Sequence, residues 1–177
     1  MKRLTEGDWL DHGLRTLAVS GHGSLKAAKM AEALGVSRGS FYWHFKDIRD
    51  FRERLLMHWQ TLTTDAIIRE MEAKADEAER LPDLMVRAFS AKPQLEKAIR
   101  AWADHDADAQ AHLIKVDKLR IGYIHKLLTM AGVDAKIAGS RARFLYAASL
   151  GDAAIAPDAV SRHSTADLHA LAALLTR

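Results

Sequence analysis

The chain has no cysteine. That excludes a disulfide framework, a thiolate-held metal and a cysteine nucleophile. It also fits a reducing compartment. Proline occurs only three times, at Pro82, Pro93 and Pro157, so few points in 177 residues force a helix to stop. No run of about 18 apolar residues is free of charge, so no membrane span is expected. The opening Met1-Lys2-Arg3-Leu4-Thr5-Glu6 has two basic residues but no apolar core behind them, unlike a secretory signal. The expectation is a cytoplasmic protein with no membrane partner. Neither sign of charge dominates: the net charge is +3, so the chain as a whole is no polycation. Stretches of alternating apolar and polar residues are absent as well, which removes the signature of a half-buried strand.

What is present is apolar helical periodicity. Hydrophobic residues make up 49% of the chain and charged residues 28%, enough for a real core and ordinary for a globular protein. The expected fold class is all-α, with about nine helices. The first starts near Thr5, where Thr5 and Asp8 resemble a capping box. Leu10, Leu14, Leu17 and Ala18 form its apolar stripe, and Gly21 and Gly23 end it. Ser24 is expected to cap a second helix that buries Ala27, Met30, Ala31 and Leu34. Gly35 stops that helix, and Ser37 caps a short third one through Phe45. Asp47 caps a fourth, from Ile48 to about Lys74. The polar stretch 73–80 reads as a helix end or a loop. Further helices are expected over 82–90, from Pro93 to about His105, from Asp106 to Ala131, from Asp134 to Ile155 with Pro157 as the stop, and from Ser164 or Thr165 to Leu175.

The segment Ser24–Asp47 holds the functional signal. Between Ser20 and Lys46 stand Lys26, Lys29, Arg38 and Lys46 against Glu32 alone, a local positive patch. Two short helices flank a tight turn at Leu34-Gly35-Val36-Ser37, which is helix-turn-helix grammar. In that motif the second helix enters the major groove and its first residues meet base edges. Arg38 could then donate two hydrogen bonds to guanine. Gly39 lets backbone approach DNA, and Ser40 and Ser37 are short polar contacts. Phe41 and Phe45, four apart, anchor the helix to the core. Tyr42, Trp43 and His44 are expected to point outward, and Lys46 to meet a phosphate. Ser24, Leu25 and Lys26 open the second helix, where backbone N–H groups can hold a phosphate.

The run Leu34-Gly35-Val36-Ser37-Arg38-Gly39-Ser40-Phe41-Tyr42-Trp43-His44-Phe45 resembles the DNA-binding domain of the TetR family of bacterial repressors, over roughly residues 5–55. The resemblance implies a three-helix DNA-binding domain over 1–48 and a divergent helical regulatory and dimerisation domain over 49–177. It also implies a homodimer on a palindromic double-stranded DNA operator and release by a small hydrophobic or amphipathic ligand. One position departs. Where the family usually carries a lysine at the start of the fourth helix, this chain has Ile48, and Lys46 or Arg49 stands in. Leu95–Ala103, Val116–Arg120 and Arg141–Tyr146 also resemble one subgroup of the family, without naming a ligand.

Trp59, Leu62, Met85, Phe89, Ile99, Trp102, Val116 and Tyr123 are the candidate ligand pocket, because mixed aromatic and Met side chains suit a cavity between helices. Simple core packing is the alternative for each. Two stripes could form a four-helix seam between copies. One is Phe144, Ala147, Ala148, Gly151 and Ile155. The other is Leu168, Leu171, Ala172 and Leu175. His105, Asp108 and His112 have ligand-like spacing, but a helix break near Asp106 separates them, so no metal is expected, nor any cofactor. No His-Glu-x-x-His, glycine-rich phosphate loop or Gly-x-Ser-x-Gly elbow occurs, so no enzyme activity is expected. A DNA-binding regulator controlled by a protein partner is the alternative reading, and a helical enzyme the remote one.

Overall fold

The computed structural model describes residues 4–152, 154–155 and 163–177. Among them the chain is all-helical, with no strand. The helices are α1 Glu6–Ser20, α2 Ala27–Ala33, α3 Arg38–His44, α4 Ile48–Gln60, α5 Ala66–Glu72, α6 Arg80–Phe89, α7 Pro93–Ala103, α8 Ala107–Met130, α9 Ala135–Asp152 and α10 Thr165–Leu175. A π turn, Thr61–Asp65, joins α4 to α5 without a break, so the expected run from Ile48 into the low seventies is one continuous helix. The expected stop at Pro157 lies outside the described residues.

Two compact units emerge. The first comprises Met1–Thr63 and Gln94–Lys115. Its α1 begins with the expected box: the Thr5 hydroxyl accepts from the Asp8 N–H, and the Asp8 carboxylate accepts from the Thr5 N–H at 2.8 Å. Each such cap contributes about 1 kcal/mol. The core is aromatic. Trp9, Phe41, Phe45 and Phe51 are all but inaccessible to solvent. The Trp9 and Phe41 rings meet edge-on at 5.4 Å, and Phe45 meets Phe51 at 4.9 Å. Such pairs add roughly 0.5–1.5 kcal/mol beyond their buried area. Gly13 lets α1 press against α4: a Cβ there would lie 2.7 Å from the Phe51 ring and 2.9 Å from Leu55. Farther along, Trp59, Ile99 and Trp102 are sealed in this unit, and the His22 ring lies parallel to Trp102 with centroids 6.2 Å apart.

The second unit comprises Thr64–Pro93 and Val116–Arg177. Met71, Leu81, Met85, Leu127, Leu128, Leu145 and Leu168 make its core with the small Ala138, Ala142 and Ala172, and α10 packs along α6. Stretch 73–80 resolves into a turn and a short 3-10 helix, Glu77–Glu79. Arg80 explains why α5 can end there. Its buried guanidinium donates to the carbonyls of Glu72 and Lys74 at 3.3 and 3.1 Å, satisfying acceptors that a helix end leaves unpaired. Inside the unit, Arg120 donates to the Thr64 hydroxyl at 2.9 Å, and the Tyr146 hydroxyl donates to Asp117 at 2.6 Å. Burial, with that acceptor, pushes the Tyr146 phenol up to about 12. At the far end Ser164 and Asp167 form a second capping box at the start of α10.

Candidate nucleic-acid interface

The turn between α2 and α3 is built as its sequence demands. Gly35 has φ of +66°, a conformation that glycine adopts without strain. The Gly35 N–H donates to the Glu32 carbonyl, and the Val36 N–H reaches back to Ala31, each at 3.0 Å. That pair is a Schellman motif. It fixes the angle at which α3 leaves α2. One detail differs from the expectation: α2 starts at Ala27, not after Ser24. Ser24 ends a 3-10 turn, His22–Ser24, and its hydroxyl donates to the Ser20 carbonyl at 3.1 Å. The cause is Leu25, which is fully buried and turns the backbone inward before the helix can begin. Lys26, in extended conformation, holds the cap position without a side-chain bond and is exposed.

In α3 one face anchors and the rest is presented to solvent. Phe41 and Phe45 are buried, as their spacing requires. Arg38, Gly39, Tyr42 and Trp43 are exposed, with Tyr42 46% and Trp43 72% accessible. Ser37 sits at the N-cap with extended backbone, yet its hydroxyl makes no capping bond, so it remains available. Ser40 is half-buried. Arg38 is pre-organised: its guanidinium donates to the Tyr42 hydroxyl at 3.0 Å and lies 5.5 Å from the centre of the Tyr42 ring. The phenol thus holds the Arg fork on the exposed face without neutralising it. His44 does not point freely outward as expected. Its Nε2 lies 3.0 Å from the Leu4 carbonyl, so the imidazole ties the residues before α1 to the end of α3.

Behind α3, Asp47 caps α4 by accepting from the N–H groups of Arg49 and Asp50 at 2.8 and 2.9 Å. Asp50 in turn accepts from the Lys46 N–H and from Arg54. These hydrogen bonds hold its carboxyl below the usual carboxylate range. Of the two residues that could stand in at the Ile48 position, Arg49 is turned toward Asp108, with which it pairs at 3.0 Å. Lys46 is exposed.

The other candidates are distributed as follows. Trp59, Ile99 and Trp102 belong to the first unit; Met85, Phe89, Val116 and Tyr123 belong to the second. All but Phe89 of these seven are buried, and Leu62 is 46% exposed. An open cavity does occur in the second unit, lined by none of the eight. Sequence reading passed over it, although Lys118, Gly122 and His125 recur at helical spacing. On the last two helices Phe144 is 69% exposed, and Ile155, Leu171 and Leu174 are also accessible. Ala147 and Gly151 are exposed and Ala148 is half-buried. Leu168 and Ala172 are buried in the chain's own core, and Leu175 packs on that core. The sequence stripe had not included Leu174. His105 follows the end of α7, Asp108 pairs with Arg49, and His112 sits beside Trp59, so the three do not converge. A different group comes together in the second unit: Glu79, Asp83 and His169 offer atoms within 4.8 Å of one another.

Residues 10–55 match the sequence model of the bacterial regulatory proteins of the tetR family. Several solved structures share the fold along nearly the whole chain. A Saccharomonospora viridis protein, described as a transcriptional regulator and solved in complex with choline, has a TM-score of 0.75 at 17% identity, covering 95% of this chain and 93% of its own. A transcriptional regulator of Rhodococcus has a TM-score of 0.75 at 18% identity, covering 98% and 94%. The fatty acid degradation regulator FadR of Bacillus halodurans has a TM-score of 0.69 at 17% identity, covering 99% and 96%. Among curated proteins none matches the chain in sequence. With a buried aromatic anchor, a glycine-set turn and an exposed short helix inside the matched segment, residues 10–55 are similar to the DNA-binding segment of the tetR family of bacterial regulatory proteins, and the chain as a whole shares the fold of the solved regulators.

Proposed function

We propose that the chain is a cytoplasmic transcriptional repressor that binds a palindromic operator as a homodimer and is released by a small hydrophobic or amphipathic ligand. Residues 1–48 read the DNA, and residues 49–177 carry regulation and dimerisation. The observation that carries this reading is the exposed face of α3, where the Arg38 guanidinium donates to the Tyr42 hydroxyl and Trp43 is open to solvent. Ser37, Gly39, Ser40 and Lys46 complete that face, and Ser24, Lys26 and His44 flank it. Two such helices would enter successive major grooves about 34–36 Å apart. Phe144, Ile155, Leu171 and Leu174 supply an accessible apolar surface for the second copy. A ligand that favours a dimer with another spacing of its two α3 helices would shift the population and weaken binding.

The test is capture of genomic fragments by the purified chain. The captured fragments should share one inverted repeat; fragments with no common sequence would refute a specific regulator. A second reading, a regulator governed by a protein partner alone, is favoured by the dense packing of Trp59, Ile99 and Trp102, which are at most 1% accessible. A thermal-shift screen with apolar metabolites, followed by operator release, separates the two readings. No helix among the described residues is long and apolar enough to cross a membrane.

A further inference from the structure

The open cavity of the second unit has a volume of about 490 Å³ and lies between α8 and α9. Lys118, Gly122 and His125 line it from α8, and Lys136, Gly139 and Arg143 from α9. No acidic side chain lines it. Among the described residues, the side chains of Lys118, His125, Lys136 and Arg143 take part in no ion pair or hydrogen bond. Cations gathered in a concave face raise the local potential and draw in anions.

The two helices are joined by the short turn 131–134, so the chain doubles back and the lining residues 118–125 of α8 run alongside 136–143 of α9 in the opposite direction. Seven residues of helix span about 10.5 Å. The trough thus has two basic ends, roughly 10 Å apart, with Gly122 and Gly139 between them. A Cβ on either glycine would meet nothing within 4 Å, and neither has a positive φ. Packing and backbone conformation therefore leave both glycines unexplained, although glycine is the poorest helix former after proline. They keep the floor of the trough clear of side chains.

We propose that this trough binds a small polyphosphate-bearing molecule. Its phosphates meet Lys118, Lys136 and Arg143, and its body lies over the two glycines. Arginine and lysine suit phosphate oxygens through charge-assisted hydrogen bonds. A twofold axis passing through the trough itself would set this basic surface against itself. The site is independent of operator binding.

The test is calorimetric titration of the full chain, without DNA, using tripolyphosphate and ATP at constant ionic strength. Saturable binding of one molecule per chain is expected. The pair Lys136→Gln with Arg143→Gln, at exposed positions, should weaken it at least tenfold. So should Gly122→Leu with Gly139→Leu, which fills the floor and leaves the charge. Arg38→Ala with Lys46→Ala should leave it unchanged. The proposal is overturned if wild type shows no saturable binding, or if the charge or floor variants bind as wild type does. Loss of binding in the Arg38 and Lys46 variant would place the anion at α3 and overturn it too. So would a floor-filled variant whose sedimentation changes without any anion, since a second copy would then occupy the trough.

Discussion

Gly13 shows how closely the first unit is specified by single atoms. The Phe51 ring that a Cβ would strike is fully buried among other rings, so it has nowhere to move. Gly13→Ala should gain about 1 kcal/mol of helix preference and lose roughly 1–3 kcal/mol to overpacking. The net expectation is a lower urea midpoint, read by tryptophan fluorescence; an unchanged or higher midpoint would mean that α1 and α4 are less tightly packed than described. In the proposed reading Arg38 and Lys46 divide the contact with DNA. Arg38 is held by Tyr42 for hydrogen bonding to a base, so Arg38→Ala should cost about 1–3 kcal/mol at the site and relax sequence preference. Lys46 offers only charge. Lys46→Ala should weaken all duplexes alike and lower the salt slope by about 1, measurable by anisotropy from low to moderate salt.

Elements were legible in the sequence wherever a local signal set them. The Thr5 box, the Asp47 cap and the Gly35 turn rest on residues within a few positions of one another, and the structure shows them where the spacing predicts; of Ser164 and Thr165, both offered by the sequence as the cap of α10, the structure uses Ser164. The start of α2 was not legible, because it is set by the burial of Leu25, a tertiary event. His44 was misplaced for the same reason: its partner, Leu4, is forty positions away. The stripe on α10 was split by packing, since a hydrophobic periodicity cannot say which residues face α6 and which face solvent. Two helices also carry a pH response. Burial, aided by Arg15, holds His12 on α1 below the usual imidazole range, and burial with Lys115 does so for His112 on α8. The fold favours both rings neutral, while the unfolded chain protonates near 6.5. Stability from these groups is therefore full above about pH 6.5 and is lost as pH falls below it. The melting temperature should drop between pH 7 and 5, and His112→Gln should flatten that drop. A pH-independent melting temperature over this range would show that neither ring resists protonation.

For the whole molecule, the proposed dimer doubles the contact that a helix as short as α3 can make with DNA. Phe144 and Leu174 are accessible in the single chain, so charge there should spare folding. Phe144→Glu with Leu174→Glu should convert a sedimenting dimer to monomer and abolish operator binding together; a folded variant that remains dimeric would move the interface elsewhere. Most direct is a competition titration of wild type and Arg38→Ala with the captured operator and with duplexes altered one base pair at a time. The account predicts that wild type discriminates sharply at the bases under α3 and that Arg38→Ala loses that discrimination while keeping its dependence on salt. An Arg38→Ala chain that retains both the affinity and the base preference of wild type would contradict it.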